Sequence, residues 1–298
     1  MIRRIFVCAA LSASLLMTSC LKNDRTTVVR KVKYADGIEF ANGTTLTFGY
    51  DKEGRVTTIA CNDAPTGKDS TYHIEYDIIR PYSQSTVTIQ CNDREWLMKF
   101  NGLGLVDSYY ELSEGLYTGL SSFGYYDNNY HLTQITDIAG HGSSVIYWAY
   151  NVPYDQTLTY NSGESSVTKN MRYSYAEGVT NMQTNIDLLP LLVPEHLEGS
   201  HLNPCVACAV TVYGTRSYAL PSAVMITSTG VPDTDDGDDE SGAEDDDNEN
   251  PSLRTETRLF NFTTDADGFV NAVSTIETEG EEPELLFRVN YFTSTTVE

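Results

Sequence analysis

His196, His201, Cys205 and Cys208 are the four side chains whose types and spacing come nearest to a recognisable chemistry. Two imidazoles and two thiols in one short segment are zinc ligands by type. Structural zinc sites, however, set paired ligands on separate knuckles. Here Pro204-Cys205-Val206-Ala207-Cys208-Ala209-Val210 is an apolar run. Cys205-x2-Cys208 also has redox spacing, but an active thiol needs a helix N-terminus or a neighbouring cation to lower its pKa, and the sequence secures neither. The expectation is structural cysteines, buried or disulfide-linked, with no metal and no cofactor.

Hydrolytic signals are sparse. The chain has no Gly-x-Ser-x-Gly, no His-Glu-x-x-His and no glycine-rich phosphate loop. His73, His131 and His141 are scattered. Carboxylates are abundant, so the competing reading is a secreted hydrolase-like enzyme with an unrecognised carboxylate site. Its mark would be two carboxylates about 5–10 Å apart in a pocket. Twelve of the twenty tyrosines fall between Tyr109 and Tyr175. Tyrosine rings stack on sugar faces, yet tyrosine is also a favoured strand residue whose hydroxyl reaches water from a half-buried face. The chain is therefore not expected to be an enzyme, and its candidate ligands are a glycan or a protein.

Composition narrows the partners further. A formal charge of −23 opposes nucleic acid, and 40 % hydrophobic residues over 298 positions suffice for a real core. Much of the acidity is local. Pro232 to Pro251 holds eleven acids, no base and nothing apolar larger than Ala, so 231–252 is expected to be a disordered loop. Its carboxylates lack EF-hand spacing, because counting from Asp233 puts Gly237 at position 5 where the loop needs it at 6.

The elements that must position any site announce themselves by repetition. Tyr50-Asp51-Lys52-Glu53-Gly54-Arg55-Val56 aligns without gaps on Tyr126-Asp127-Asn128-Asn129-Tyr130-His131-Leu132 and on Thr264-Asp265-Ala266-Asp267-Gly268-Phe269-Val270. Phe100-Asn101-Gly102-Leu103-Gly104 is a looser copy. Aromatic anchors at 50, 76, 100, 126, 150 and 175 are about 25 residues apart, the sign of a repeated supersecondary unit. Asp bonding its own backbone and Gly in the left-handed region close a four-residue hairpin turn. Where Gly is missing, Asn129 or Tyr130 must take that conformation, and Asn tolerates it best. Leu46, Phe48 and Tyr50 alternate to one side, as do Trp96, Met98 and Phe100.

Each period is thus a β-hairpin. The predicted fold is all-β, an antiparallel meander of a dozen or more strands forming a curved roll or partly closed barrel. Cys61 and Cys91 would lie on next-but-one strands, roughly 10 Å apart, too far for a disulfide. The stretch Met182–Leu220 breaks the alternation with Ile186, Leu188, Leu189, Leu191, Leu192 and Val193. It predicts a short helical insert over 183–205 that fills the concave face of the sheet, with prolines keeping its helices short.

The N-terminus reads as an address. Arg3 and Arg4 precede a thirteen-residue apolar run, Ile5–Met17, too short to span a bilayer. It ends in Leu16-Met17-Thr18-Ser19-Cys20, which resembles a bacterial lipobox with Met where Leu is usual. Residues 1–19 are expected to be a signal peptide, Cys20 the lipid attachment site, 20–30 a tether and 31–298 a single β domain. The resulting partner is the membrane, through the lipid, with the protein in the cell envelope, on the outer membrane. A transmembrane barrel is not expected, because the alternate strand face is Thr, Lys, Ser and Asp and the mean hydropathy is −0.31.

Tyr50-Asp51-x-x-Gly54-Arg55-Val56-Thr57 resembles a YD repeat of the Rhs and teneurin type. The layout of lipobox, YD-like hairpins, an Asn185-Ile186-Asp187-Leu188-Leu189 segment and further strands resembles Bacteroides-group lipoproteins described as porin-like, a family of domains of unknown function. The resemblance covers about residues 30–298 and implies fold and location. It carries no catalytic residue.

Overall fold

Three of the repeated turns are one physical object. Asp51 Oδ1 accepts from the amides of Glu53 and Arg55, both at 2.9 Å, while Gly54 N donates to Asp51 O at 3.0 Å. Asn101 does the same for Leu103 and Leu105, and Asp265 for Asp267 and Phe269. The closing Gly54, Gly104 and Gly268 have φ of 78°, 81° and 87°. A β-bulge precedes each turn, at Gly49/Tyr50, Lys99/Phe100 and Thr263/Thr264. In the fourth copy Tyr130 takes the left-handed position, with φ of 62°, and not Asn129. The anchor series also drifts. Tyr150 lies in a two-residue turn with Asn151, φ 52° and 63°, and is fully exposed, while Trp148 sits in its strand.

These turns organise a computed structural model that describes residues 29–125, 129–138, 142–162, 165–177, 179–181, 185–210, 216–230, 253–276 and 282–297. The signal peptide, Cys20, His141 and the acidic stretch 231–252 lie outside them. The strands are β1 (Val29–Phe40), β2 (Thr45–Tyr50), β3 (Val56–Asp63), β4 (Lys68–Asp77), β5 (Thr86–Cys91), β6 (Arg94–Phe100), β7 (Val106–Ser113) and β8 (Leu116–Tyr125). They continue as β9 (Leu132–Asp137), β10 (Gly142–Ala149), β11 (Val152–Ser162), β12 (Ser165–Ser174), β13 (Ala223–Thr229), β14 (Arg254–Thr264), β15 (Val270–Ile276) and β16 (Glu284–Val297). Residues 33–292 form one compact unit; residues 1–32 and 293–298 group separately.

The meander closes completely. Every strand is hydrogen-bonded to its neighbours in sequence, and β16 to β1, giving a closed antiparallel barrel. This corrects the expected curved roll or partly closed barrel. Closure removes the two sheet edges, which would otherwise expose unpaired amides and carbonyls. A further consequence is size. Side chains alone fill a barrel of about eight strands, whereas sixteen leave a wide lumen.

The insert between β12 and β13 fills that lumen. It holds helix α1 (Leu189–Leu192), a 3-10 turn (Pro194–Leu197) and helix α2 (Pro204–Ala209), which ends beyond residue 205. Leu188, Leu189, Leu192, Val193, Val206, Ala207 and Cys208 are buried in one cluster with wall residues such as Ile38, Leu46, Ile59, Met98, Ile135, Met171 and Phe287. Each such Leu, Ile or Val contributes roughly 1.5–3 kcal/mol on burial. Asn185 and Asp187 of the resembling segment serve the same packing. Asn185 Oδ1 takes the amide of wall residue Ala35 at 2.8 Å, and Asp187 Oδ1 takes Leu189 N at 3.0 Å and Asn181 Nδ2 at 2.7 Å.

Much of the outer wall is polar, although Val145, Tyr147, Tyr154 and Met225 are also exposed on it. Asp69, His73, Glu75 and Asp77 are exposed along β4, Lys99 is exposed and Glu95 partly exposed on β6, and Arg172 and Arg288 are exposed on β12 and β16. A lipid-facing wall would carry apolar residues at those positions.

Candidate functional site

The Asx-closed turns at 51–54, 101–104 and 265–268 share one end of the barrel, and the insert enters and leaves there. Lys33 of β1 belongs to this turn end, where its ammonium pairs with Asp265 and, at 3.3 Å, with Asp267. The insert crosses the lumen and reaches the opposite mouth at 194–203. Its charged wall contacts include Arg258 to Glu195 at 2.7 Å and Lys169 to Glu198 at 2.9 Å, and Asp137 meets His201 at 3.2 Å.

Among the described residues the insert borders a shallow opening of about 360 Å³ along 194–202, with Glu195 and Glu198 on its lining, and two larger ones at that mouth. One, of about 510 Å³, lies between α1 and β14–β16 and is lined by Leu191, Leu192, Phe260, Ile276 and Leu286, with Glu256 and Arg258. Arg258 already binds Glu195 and Glu256, so this opening offers mainly apolar surface. The other, of about 440 Å³, lies between α2 and β4–β8. Inward-pointing Tyr72, Trp96 and Tyr109 line it, Arg94 and Glu111 form its outer rim, and His201 and Asn203 of the insert close it.

The rim of this second cleft is organised before any ligand arrives. Arg94 donates from Nε and Nη2 to Glu111 Oε1 at 2.9 and 2.5 Å. Its guanidinium lies 4.8 Å from the Trp96 ring centre. The bond to Glu111 raises the Arg94 pKa, so the pair is ionised and its net charge cancels. Asn203 donates to the Tyr72 hydroxyl at 3.1 Å and accepts Cys205 N at 2.8 Å, capping α2. Burial pushes the Tyr72 phenol up to about 12 and raises Tyr109 as well, so both stay protonated donors. His201 has φ of 59°, a left-handed backbone on a non-glycine residue beside the cleft.

The four candidate metal ligands are dispersed. Cys205 and Cys208 lie on α2, His196 is buried beside Tyr173 and Gln156, and His201 faces Asp137. Among the described residues no group of three or more His, Cys, Asp or Glu side chains is placed to hold a metal. Cys205 does lie in the first turn of a helix, but burial pushes its thiol up to about 12 and raises Cys208 as well. These are packed thiols rather than activated ones. Cys61 and Cys91 are also free thiols, with β4 between their strands.

The tyrosine-rich stretch does not form one face. Tyr109 and Tyr173 point inward, Tyr147 and Tyr154 pair on the outer wall with ring centres 6.2 Å apart, and Tyr130 and Tyr150 occupy turns. Among the described side chains of that stretch, Tyr109 alone lines the cleft. Trp96 was legible as an inward strand residue, but Tyr72 and the Arg94–Glu111 pair come together only through cross-strand register.

No protein-family profile matches the chain, and no curated protein matches it. Among solved structures it is similar to a porin-like protein from Bacteroides uniformis ATCC 8492, at 14 % identity and a TM-score of 0.51. That likeness covers 89 % of this chain and 96 % of the other. A porin-like protein from Bacteroides vulgatus ATCC 8482 is also similar, at 10 % identity and a TM-score of 0.46, over 87 % of this chain and 99 % of that one. The first likeness shows a shared fold.

Proposed function

We propose that this chain is a lipid-anchored protein of the cell envelope, on the outer membrane, whose plugged barrel is a rigid, non-enzymatic binding body. The observation that carries the reading is the reversed polarity of the barrel. Its inner face and insert are apolar and packed, and its outer wall bears Asp69, Glu75, Lys99, Arg172 and Arg288. A lumen packed this way is a core and not a conduit, and a wall of this chemistry belongs in water. Membrane attachment then falls to the lipid on Cys20 at the end of the Leu16–Ser19 motif. Lys33 lies at the turn end, and the two larger clefts open at the opposite mouth.

The competing reading, a hydrolase-like enzyme, calls for a carboxylate pair across a cleft. Among the described residues the Trp96 cleft is lined by a single carboxylate, Glu111, already bound to Arg94, and the two on the 194–202 opening, Glu195 and Glu198, are bound to Arg258 and Lys169, which favours binding. Membrane fractionation tests the proposal. Native protein should sediment with membranes and Cys20→Ala should be released in soluble, folded form. Continued sedimentation of Cys20→Ala would overturn the anchor.

A further inference from the structure

We infer that the Trp96 cleft binds a neutral saccharide of about two rings, a conclusion that rests on the non-enzymatic binding reading above and assigns it a ligand class. Three features of the cleft select that chemistry. The first is aromatic surface: Trp96, Tyr72 and Tyr109 line it, while Leu202 and Val206 of the insert add apolar floor. The C–H faces of a sugar ring need such surface, with ring planes to lie against. The second is a dense set of donors and acceptors without net charge. Both Arg94 bonds land on Glu111 Oε1, which leaves Oε2 to accept from a ligand hydroxyl. The Tyr72 oxygen accepts from Asn203 and keeps its own proton to donate. Alternating hydroxyl-sized donors and acceptors suit a polyol.

The third is what the cleft disfavours. A phosphate or carboxylate ligand wants a cation of its own, and the rim guanidinium is committed to Glu111. A fatty chain would bury the Arg94–Glu111 pair and the Tyr72 hydroxyl against hydrocarbon. An extended peptide binds most readily by adding a strand to a sheet edge, and a closed barrel has none. The volume, about 440 Å³, is in the range of small-molecule sites.

The test is calorimetric titration of the full chain, solubilised in a sugar-free detergent, with a panel of neutral disaccharides. The panel includes gluco-, manno-, galacto-, xylo- and N-acetylglucosamine-linked members, and chromatography follows each for breakdown. At least one should bind with a Kd of about 1 mM or tighter, and remain intact. Trp96→Phe, which keeps the core filled, and Glu111→Gln should each weaken that binding about tenfold or more. Glu256→Gln, in the other opening, should leave it unchanged, and thermal unfolding should verify that every variant is folded. No binding by any member to the folded protein overturns the inference, as does binding that Trp96→Phe and Glu111→Gln leave untouched. Either failure leaves the Cys20 fractionation result standing. Breakdown of the saccharide would instead overturn the non-enzymatic reading itself.

Discussion

Arg258 of the barrel wall holds Glu195 of the insert through two parallel hydrogen bonds, Nη2 to Oε1 at 2.7 Å and Nη1 to Oε2 at 3.0 Å. Both side chains are partly buried, so the bidentate, charge-assisted pair is a firm tie between the lumen segment and the wall at the cleft mouth. Removing the cation leaves a desolvated carboxylate. Arg258→Met should therefore destabilise by about 2–3 kcal/mol, and the double variant with Glu195→Gln should recover part of the loss. Urea unfolding of the four proteins gives the coupling; a value near zero would show that the pair does not hold the insert.

The same carboxylate sets an acid limit. Burial by itself would raise the pKa of Glu195, but the bonds from Arg258 outweigh it and hold the group below the ordinary value. Its folded pKa is depressed, so its stabilisation is present above the unfolded pKa of about 4.3 and is lost as pH falls through the folded value. Unfolding midpoints of native protein should drop below about pH 4 more steeply than those of Glu195→Gln.

His196 acts in a separate window. It is fully buried, and burial lowers its pKa to about 3. Gln156 Oε1 can only accept, so at 2.5 Å the Nδ1 of His196 carries the proton of the neutral ring. An unfolded imidazole titrates near 6.5 and takes up a proton that the folded one refuses. Stability should fall by about 1.4 kcal/mol per pH unit between roughly pH 6 and 4 from this residue. His196→Asn should remove that slope over this interval. An unchanged slope would assign the acid sensitivity elsewhere.

The turns permit an opposed pair of substitutions. Tyr130 holds a left-handed φ where its sister turns have glycine, so Tyr130→Gly should stabilise by about 0.5–1 kcal/mol. Gly54→Ala should do the reverse and by more, since φ is 78° and an added Cβ would stand 2.6 Å from the Tyr34 hydroxyl. Thermal midpoints moving in the same direction would show that the two turns are not equivalent.

The turn chemistry explains why so much of the wall could be read from the chain. Asp51, Asn101 and Asp265 bond their own following amides, a local event that leaves a local signature. Closure of the barrel was not legible in this way. It depends on β1 meeting β16, a pairing of opposite chain ends that no periodicity encodes, and on an insert able to fill the resulting lumen. The cleft was hidden for a related reason. Arg94 and Glu111 belong to neighbouring strands, and Asn203 reaches Tyr72 across 131 residues. Side chains chosen by register rather than by spacing leave no motif, whereas the cluster that did suggest one, His196 to Cys208, is spread through the packed insert.

Strand register also decides what the acidic stretch contributes. β13 and β14 are antiparallel neighbours, and Ser228 stands opposite Arg254. The residues between them therefore join two adjacent strand ends, a connection that a few residues make elsewhere in this barrel, as Asn92 and Asp93 do between β5 and β6. Replacing 232–251 with a short Gly-Ser turn removes eleven carboxylates and leaves β13 and β14 intact. Loop closure favours the shorter connection by about 1 kcal/mol, and the loss of like-charge repulsion adds in the same direction. The unfolding midpoint should stay level or rise slightly, while anion-exchange elution shifts to much lower salt. A marked fall in the midpoint would show that the acidic stretch packs on the body, and repeating the scan with and without calcium would tell whether a cation orders it.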